Sequence, residues 1–228
     1  MKRAPGPGTM SPRHVGSVVV HVALAALMLL PVRAFSQDYA LDPSRSRLEI
    51  HVFREGLLKF LGHDHHIVAQ NITGRIHLEE QALERSSVQL TVEAASLKVV
   101  DPGVDEKERQ EVQTTMESAR VLDVKKFPTI VFTSTSIMRV TPTGAGYDLT
   151  LVGTLHLHGV EKQIRVPVSV ILEPDQIRAR GSVDILQSEF GITPIRIGGG
   201  TIRVKDKIRI TYDIVAPRES RDMAGRIH

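Results

Sequence analysis

Alternating apolar and polar residues fill most of the chain after residue 45 and predict β-strands. Residues 46–53 show the pattern first: Leu48, Ile50 and Val52 share one face, and polar residues occupy the other. The same period of two returns in seven further stretches, at residues 71–78, 87–97, 130–140, 147–158, 164–172, 176–186 and 202–215. Strands with one wet face are typical of antiparallel sheets. The pattern therefore predicts an all-β protein of about eight strands.

One helix is predicted among the strands, in residues 105–124. Asp105, with a glutamate three residues later, forms a start that resembles a capping box. Val112, Met116 and Ala119 follow at helical spacing and form one narrow apolar stripe on a polar helix. A stripe this narrow suits a wall or lid better than a core helix, so we expect a helix that flanks the sheet.

The strands could close into a barrel or pack as a two-sheet sandwich with a filled core. Closure removes exposed sheet edges, and a barrel of about eight strands can hold one small ligand. The inward residues are mainly Leu, Ile and Val, and the whole chain has 6 Phe, 3 Tyr and no Trp to fill a wide centre. This favours an antiparallel β-barrel with one flanking α-helix, and the sandwich is the alternative.

The first 36 residues predict a secretory signal peptide. Basic residues begin the chain, residues 18–30 are almost wholly apolar, and Ala34-Phe35-Ser36 provides small residues before Gln37. The apolar run is short for a membrane span, although an uncleaved anchor is the alternative. We expect cleavage near Ser36 and Gln37, a periplasmic or secreted protein with no transmembrane span after cleavage, a folded domain at 37–217 and a disordered tail at 218–228.

Charge and composition exclude some classes of partner and chemistry. The chain has 29 basic and 26 acidic residues, but residues 1–36 hold four of the basic ones and no acidic one, so the mature chain has a net charge of −1. A balanced chain without a basic run offers no basis for nucleic-acid binding. The absence of cysteine excludes disulfides, thiol catalysis and thiolate metal sites.

Four segments of the chain resemble the YceI-like family of exported, lipocalin-like proteins that bind polyisoprenoid or similar long-chain lipids. They are residues 39–46 (YALDPSRS), 122–134 (LDVKKFPTIVFTS), 153–162 (GTLHLHGVEK) and 188–192 (SEFGI). The resemblance covers about residues 39–215. The chain departs from the family in the histidine-rich residues 63–66 and in lacking aromatic residues just before residue 122.

The resemblance implies a barrel with a buried apolar channel for a long lipid, such as a polyprenyl chain or a quinone-like tail. Each methylene that is removed from water contributes about 0.8 kcal/mol, so a long chain binds with few polar contacts. For each inward residue, plain core packing is the alternative to lipid contact. The predicted lipid-binding residues are Leu48, Ile50, Val52, Val88, Leu90, Met116, Ile130, Phe132, Leu149, Leu151 and Leu155.

A histidine cluster offers a second hypothesis, in which the protein is a metal-binding or stress-related accessory protein without lipid. His63 and His65 share one strand face, and His156 and His158 share another. Three or four imidazoles would converge as metal ligands if these two strands were neighbours. The alternative is that these rings satisfy loop and turn backbone groups.

No enzyme signature is present in the sequence. It has no G-x-S-x-G elbow, and the glycines at 198–200 lack the lysine and the context of a P-loop. The paired carboxylates Glu79 and Glu80 lie in charged surface segments, as do Glu106 and Glu108. We therefore expect a monomeric or homodimeric protein that sequesters lipid, with no catalytic residues and no required cofactor. A pure interaction domain with a filled core is a further alternative.

Overall fold

The computed structural model describes residues 36–55, 64–197 and 202–219 of the chain. The predicted signal peptide lies outside these residues except for Ser36, and so do His63 and the tail after residue 219. The chain divides into two compact units, Met1–Ala34 and Phe35–His228, and every described residue belongs to the second. Among the described residues, no helix has the length and apolar character that crossing a bilayer requires.

Twelve strands and one α-helix are formed by the described residues. The strands are β1 (Ser36–Ala40), β2 (Arg47–Glu55), β3 (His65–Ala69), β4 (Ile72–Glu79), β5 (Ser87–Glu93), β6 (Leu97–Val99), β7 (Thr129–Thr143), β8 (Gly146–Leu157), β9 (Val160–Leu172), β10 (Gln176–Leu186), β11 (Arg196–Ile197) and β12 (Ile202–Pro217). The helix is α1 (Glu106–Glu117). Eight of the strands have at least seven residues and lie where the eight alternating stretches predict them. The other four are too short to produce a readable alternation.

The strands form one antiparallel sheet in the order β1-β4-β5-β7-β8-β9-β10-β12-β2-β3-β6, with β11 paired to β12. The sheet curls until β1 reaches β12, where Tyr39 and Arg218 form a bridge. The amide of Asp42 donates to the carbonyl of Val215 at 2.8 Å. The predicted antiparallel, lipocalin-like barrel is confirmed, and the two-sheet sandwich is wrong because a single sheet turns back on itself.

The first two residues of the predicted disordered tail pair with other backbone in the structure. The amide of Arg218 donates to the carbonyl of Asp175 at 2.8 Å, and that of Glu219 donates to the carbonyl of Asp38 at 2.9 Å. Residues 220–228 lie outside the described part of the chain. The first of these hydrogen bonds ties the end of the domain to the residue before β10, and the second ties it to β1.

The turn between β8 and β9 is tighter than the five-residue gap between the predicted stretches 147–158 and 164–172. His158 and Gly159 alone form it, with φ of 53° and 75°. A two-residue hairpin with both φ values positive matches the right-handed twist of the strands it joins. Because the turn is so short, β9 begins at Val160 and pairs with β8 along its whole length.

The helix α1 begins where the sequence predicts it and ends earlier. The side chain of Asp105 accepts a hydrogen bond from the amide of Glu108 at 2.9 Å, which caps the first turn. Ser118 ends the helix, since its hydroxyl donates to the carbonyl of Thr115 at 2.7 Å. The predicted end at residue 124 is therefore wrong, and Ala119 lies outside the helix.

One side chain of α1 protects the edge of the sheet. Gln113 is buried, and its side-chain oxygen accepts the amide of Val99 at 2.9 Å. Its amide nitrogen donates to the carbonyl of Leu97 at 2.8 Å. Val99 and Leu97 belong to β6, the last strand of the sheet, whose outer edge would otherwise offer unpaired backbone groups. Gln113 thus makes the hydrogen bonds that a further strand would make with β6, and it fixes α1 against the barrel.

We predict that Gln113→Ala lowers the free energy of unfolding by about 1–3 kcal/mol, because it leaves two buried backbone groups without partners. Urea denaturation measures the change, and hydrogen exchange at the Val99 amide should accelerate. Gln110→Ala is the matched control, since Gln110 is an exposed glutamine on the same helix. Equal stability of the two variants would contradict the role of Gln113 at this edge.

Candidate functional site

The inner face of the curled sheet surrounds an apolar cavity of about 280 Å³. It is lined by 40 residues, and none of them has a charged side chain. The lining residues with polar side chains are Ser86, Gln89, Tyr147, Gln187 and Tyr212. Such a cavity offers many apolar contacts and few hydrogen bonds, which suits the hydrocarbon part of a ligand.

The side chains of the inner face do not fill the space that the sheet encloses. Leu48, Ile50, Val88, Leu90 and Phe132 all face inward, yet each is only half-buried. Residues of this kind in a packed core are normally buried. Their remaining exposure is to the cavity, so the structure favours the hollow barrel over a filled core.

Two aromatic rings of the lining lie over glycines on neighbouring strands. A Cβ at Gly153 would lie 2.6 Å from the ring of Phe132, and one at Gly181 would lie 2.4 Å from the hydroxyl of Tyr212. The rings thus lie against the wall, as aromatic residues do when they cover a glycine across a strand pair. The Tyr212 hydroxyl donates to the carbonyl of Pro167. Burial raises the pKa of Tyr212, so this donor stays protonated.

One end of the cavity is closed by a packed cluster. Tyr39, Leu78, Ile177 and Ala216 are all buried there and form one apolar group. The cluster joins β1 and β4 to β10 and β12, the strands that meet where the sheet curls back. A ligand would therefore approach the cavity from the opposite end.

A second cavity of about 570 Å³ lies at the opposite end. The two cavities share Val52, Ile67, Met116, Val121 and Gln187 in their linings, so they lie side by side. The second cavity also has charged lining residues, which are Arg54, Glu108, Glu111, Arg120, Arg196 and Arg203. The space therefore changes from apolar inside to charged at its mouth.

The helix α1 forms part of the wall where the two cavities meet. Met116 is buried and lines both of them, and Val112 of the same helix lines the second. Met116 packs with Ile67 and Leu97 of the adjoining strands. Its long, unbranched side chain can adapt its shape to what lies beside it. The helix thus lies at the mouth, as its narrow apolar stripe predicts.

All eleven residues predicted to bind lipid are lining residues of the apolar cavity. They come from β2, β5, α1, β7 and β8, and the curl of the sheet brings them around one space. Their contact with a lipid is part of the proposal below. Sequence reasoning missed the lining contributed by β9, β10 and β12, such as Val168, Val183 and Ile210. The same alternation marked these strands, but without pairing information they could be assigned only to a core.

The histidines considered as metal ligands are not brought together. β3 pairs with β2 and β6, whereas β8 pairs with β7 and β9, so His65 is remote in the sheet order from His156 and His158. His65 hydrogen bonds to Asp101 at 2.8 Å, and His158 to the carbonyl of Phe190 at 3.1 Å. The hypothesis that these strands are neighbours is therefore wrong, and His63 lies outside the described residues.

A different group of potential ligands does converge, on the outer face of the barrel. It consists of Glu49, His51 and His66, whose ligand atoms all lie within 4.8 Å of one another. The alternation in residues 46–53 places Glu49 and His51 together on the polar face of their strand. The sequence does not reveal the register between β2 and β3, which places His51 directly opposite His66.

Three of the segments that carry the family resemblance meet at one corner of the barrel. The ring of Phe127 packs edge-on against His158, with ring centroids 4.8 Å apart. His158 also hydrogen bonds to the carbonyl of Phe190, which is fully buried. These residues come from segments 122–134, 153–162 and 188–192, so these segments hold one corner of the barrel together, and Ile130 and Leu155 of the same segments also line the cavity.

Comparisons with known proteins agree with this architecture. The family model described as "YceI-like domain" matches residues 39–216. BcnA of Burkholderia cenocepacia is 19% identical, with a TM-score of 0.59 over 77% of this chain and 98% of that one. A polyisoprenoid binding domain from Saccharophagus degradans is 13% identical, with a TM-score of 0.54 over 79% and 98%. A YceI protein of Campylobacter jejuni is 18% identical, with a TM-score of 0.52 over 68% and 85%.

A comparison with curated proteins gives no match. The structural neighbours are too distant in sequence to show more than a shared fold. The family model, in contrast, spans almost the whole described domain, from the strand that closes the barrel to the end of β12. The chain belongs to the YceI-like family.

Proposed function

We propose that the protein binds a long-chain apolar lipid inside the barrel and sequesters or carries it. The observation that supports this most strongly is the pair of adjoining cavities, of which the inner one has no charged lining residue and the outer one has charged residues at the mouth of the barrel. That gradient matches a molecule with a long hydrocarbon tail and one polar end. The two cavities together fall within the range of about 300–1,000 Å³ that is usual for ligand sites.

The shape of the barrel suits a chain better than a compact ligand. β8 has 12 residues and β12 has 16, and a strand rises about 3.3 Å per residue. A tail that lies along these strands would remain in contact with apolar side chains over most of its length. Since each buried methylene contributes about 0.8 kcal/mol, affinity would come mainly from the tail.

A polyisoprenoid or quinone-like lipid is our proposal for the cargo. A structural neighbour from Saccharophagus degradans is described as a polyisoprenoid binding domain, which supports this class. The mouth has four arginines, one of which, Arg203, pairs with Glu55 at 2.7 Å. Guanidinium groups only donate hydrogen bonds, so they suit a head group with acceptor oxygens, such as a quinone carbonyl.

Binding by sequestration needs no chemical step, so we propose that the protein is not an enzyme and requires no cofactor. The apolar inner lining supports this, since it contains no carboxylate, histidine or lysine, and its titratable side chains are Tyr147 and Tyr212. The leader-like residues 1–36 support a periplasmic or secreted location. A single chain is sufficient for the mechanism, and a homodimer would carry two such cavities.

We predict that Val183→Trp weakens the binding of a fluorescent apolar probe, N-phenyl-1-naphthylamine, by about tenfold or more, since it fills part of the cavity. Val183 lines the cavity, whereas its neighbour Ser182 is exposed on the outer face of the same strand. Ser182→Trp is therefore the matched control and should bind the probe as the wild type does. Thermal unfolding checks that both variants are folded. Equal loss, or no loss, in the two variants would contradict binding in the barrel.

We predict that straight-chain alcohols displace the probe with an affinity that rises with chain length and then reaches a plateau. Each added methylene should tighten binding by up to roughly fourfold, which corresponds to about 0.8 kcal/mol. The plateau marks the length at which the cavity is full, and it should come at a shorter chain in Val183→Trp. An affinity that does not depend on length would show that the protein does not enclose a lipid tail.

A further inference from the structure

The outer face of β2 and β3 holds three potential metal ligands that the lipid cavity does not use. Glu49 and His51 are two residues apart on β2, and His66 is directly opposite His51 on β3. The inner neighbours Ile50 and Ile67 line the cavity, so this group lies behind its wall. The group is therefore separate from the lipid site.

The three side chains are already arranged around a common point. His66 Nε2 lies 3.0 Å from Glu49 Oε2, and His51 Nε2 lies 3.7 Å from the same oxygen. A tetrahedral ion with bonds of about 2.0–2.1 Å places its ligand atoms about 3.4 Å apart. These two distances bracket that value, and all three ligand atoms lie within 4.8 Å of one another, so rotation of the side chains would complete the geometry.

The two imidazoles are oriented by the sheet. Their rings stack at 4.8 Å between centroids with an angle of 14° between the planes. In this stack both Nε2 atoms lie near the same carboxylate oxygen of Glu49. The side chains of Glu49, His51 and His66 are 20%, 34% and 26% exposed, so an ion can reach them from solvent.

Glu49 uses its two oxygens on different partners. Oε2 faces the histidines, and Oε1 accepts a hydrogen bond from Arg47. Burial raises the pKa of Glu49, but the hydrogen bonds from His66 and Arg47 outweigh it and hold the pKa below its usual value. Glu49 can thus bind an ion through Oε2 while Arg47 orients the carboxylate through Oε1, as outer-shell partners of metal ligands do.

The cationic side chains near the three ligands are already paired with carboxylates. Arg209 on β12 is opposite His51, and its guanidinium donates to both oxygens of Asp184 at 2.8 and 3.2 Å. Arg47 is 66% exposed and already paired with Glu49. Lys98, on the strand beyond β3, lies 3.8 Å from Glu117. An ion at the three ligands would therefore not meet an unpaired cation among these neighbours.

We propose that Glu49, His51 and His66 form a binding site for a divalent transition-metal ion of the zinc or copper class on the outer face of the barrel. Two imidazole nitrogens and one carboxylate oxygen suit these ions, and the exposed side leaves a position for water. The ion would replace the hydrogen bond between His66 Nε2 and Glu49 Oε2.

The test is isothermal titration of Zn²⁺ into the untagged, metal-free full chain. We expect one site that His51→Ala and His66→Ala each weaken at least about tenfold. His77→Ala is the matched control, because His77 also contacts two carboxylates, Asp38 at 2.8 Å and Glu79 at 3.2 Å. His77 contacts these carboxylates through Nδ1 and Nε2, which point apart, so the two carboxylates do not share one ligand position with the ring. The variant His77→Ala should therefore leave the zinc affinity unchanged.

A second measurement on the wild type does not depend on the folding of any variant. In NMR spectra of the histidine side chains, the Nε2 resonances of His51 and His66 should shift together on addition of one equivalent of Zn²⁺. The site is overturned if the wild type binds no Zn²⁺, if other histidines shift first, or if all variants bind equally. Probe binding in the cavity should persist in His51→Ala, which keeps this result distinct from the lipid proposal.

Discussion

The structure depends on a sheet that closes on itself. The apolar side chains on its inner face are too few and too small to fill the space that it encloses. Sheet hydrogen bonds hold the cavity open, because the curl fixes how far opposite walls can approach. Closure is made by the segment at 39–46: Tyr39 is buried and pairs with Arg218, and Ser46 accepts a hydrogen bond from the amide of Val215 at 3.0 Å. The hollow interior leaves apolar surface uncovered, and a lipid tail could cover that surface.

The packed corner and the cavity lining place different demands on the sequence. Phe127, His158 and Phe190 form the packed corner, while the cavity lining is a broad set of mostly aliphatic residues from the whole inner face. Specific contacts are required to fix a corner, whereas hydrophobic lining needs only suitable size and an inward position. Substitutions in the lining can therefore change the shape of the cavity while the fold is kept.

The alternation of residues such as Leu48, Ile50 and Val52 was sufficient to predict the strands and the inner face. It could not predict partners between strands, which is why His65 was wrongly grouped with His156 and His158, and why the group of Glu49, His51 and His66 was missed. Short strands such as β6 were also missed, since three residues show no period. Register and edge contacts arise from pairing distant segments, which a linear pattern does not encode.

The most direct test of a lipid-binding barrel is native mass spectrometry of the protein produced from its full sequence in an export-competent host, followed by organic extraction. The account predicts a population heavier than the bare polypeptide, from which extraction releases an isoprenoid or other long-chain lipid. The added mass should be lost in Val183→Trp and kept in Ser182→Trp. A mass equal to that of the bare chain, with no long-chain lipid in the extract and no binding of added lipid, would contradict it.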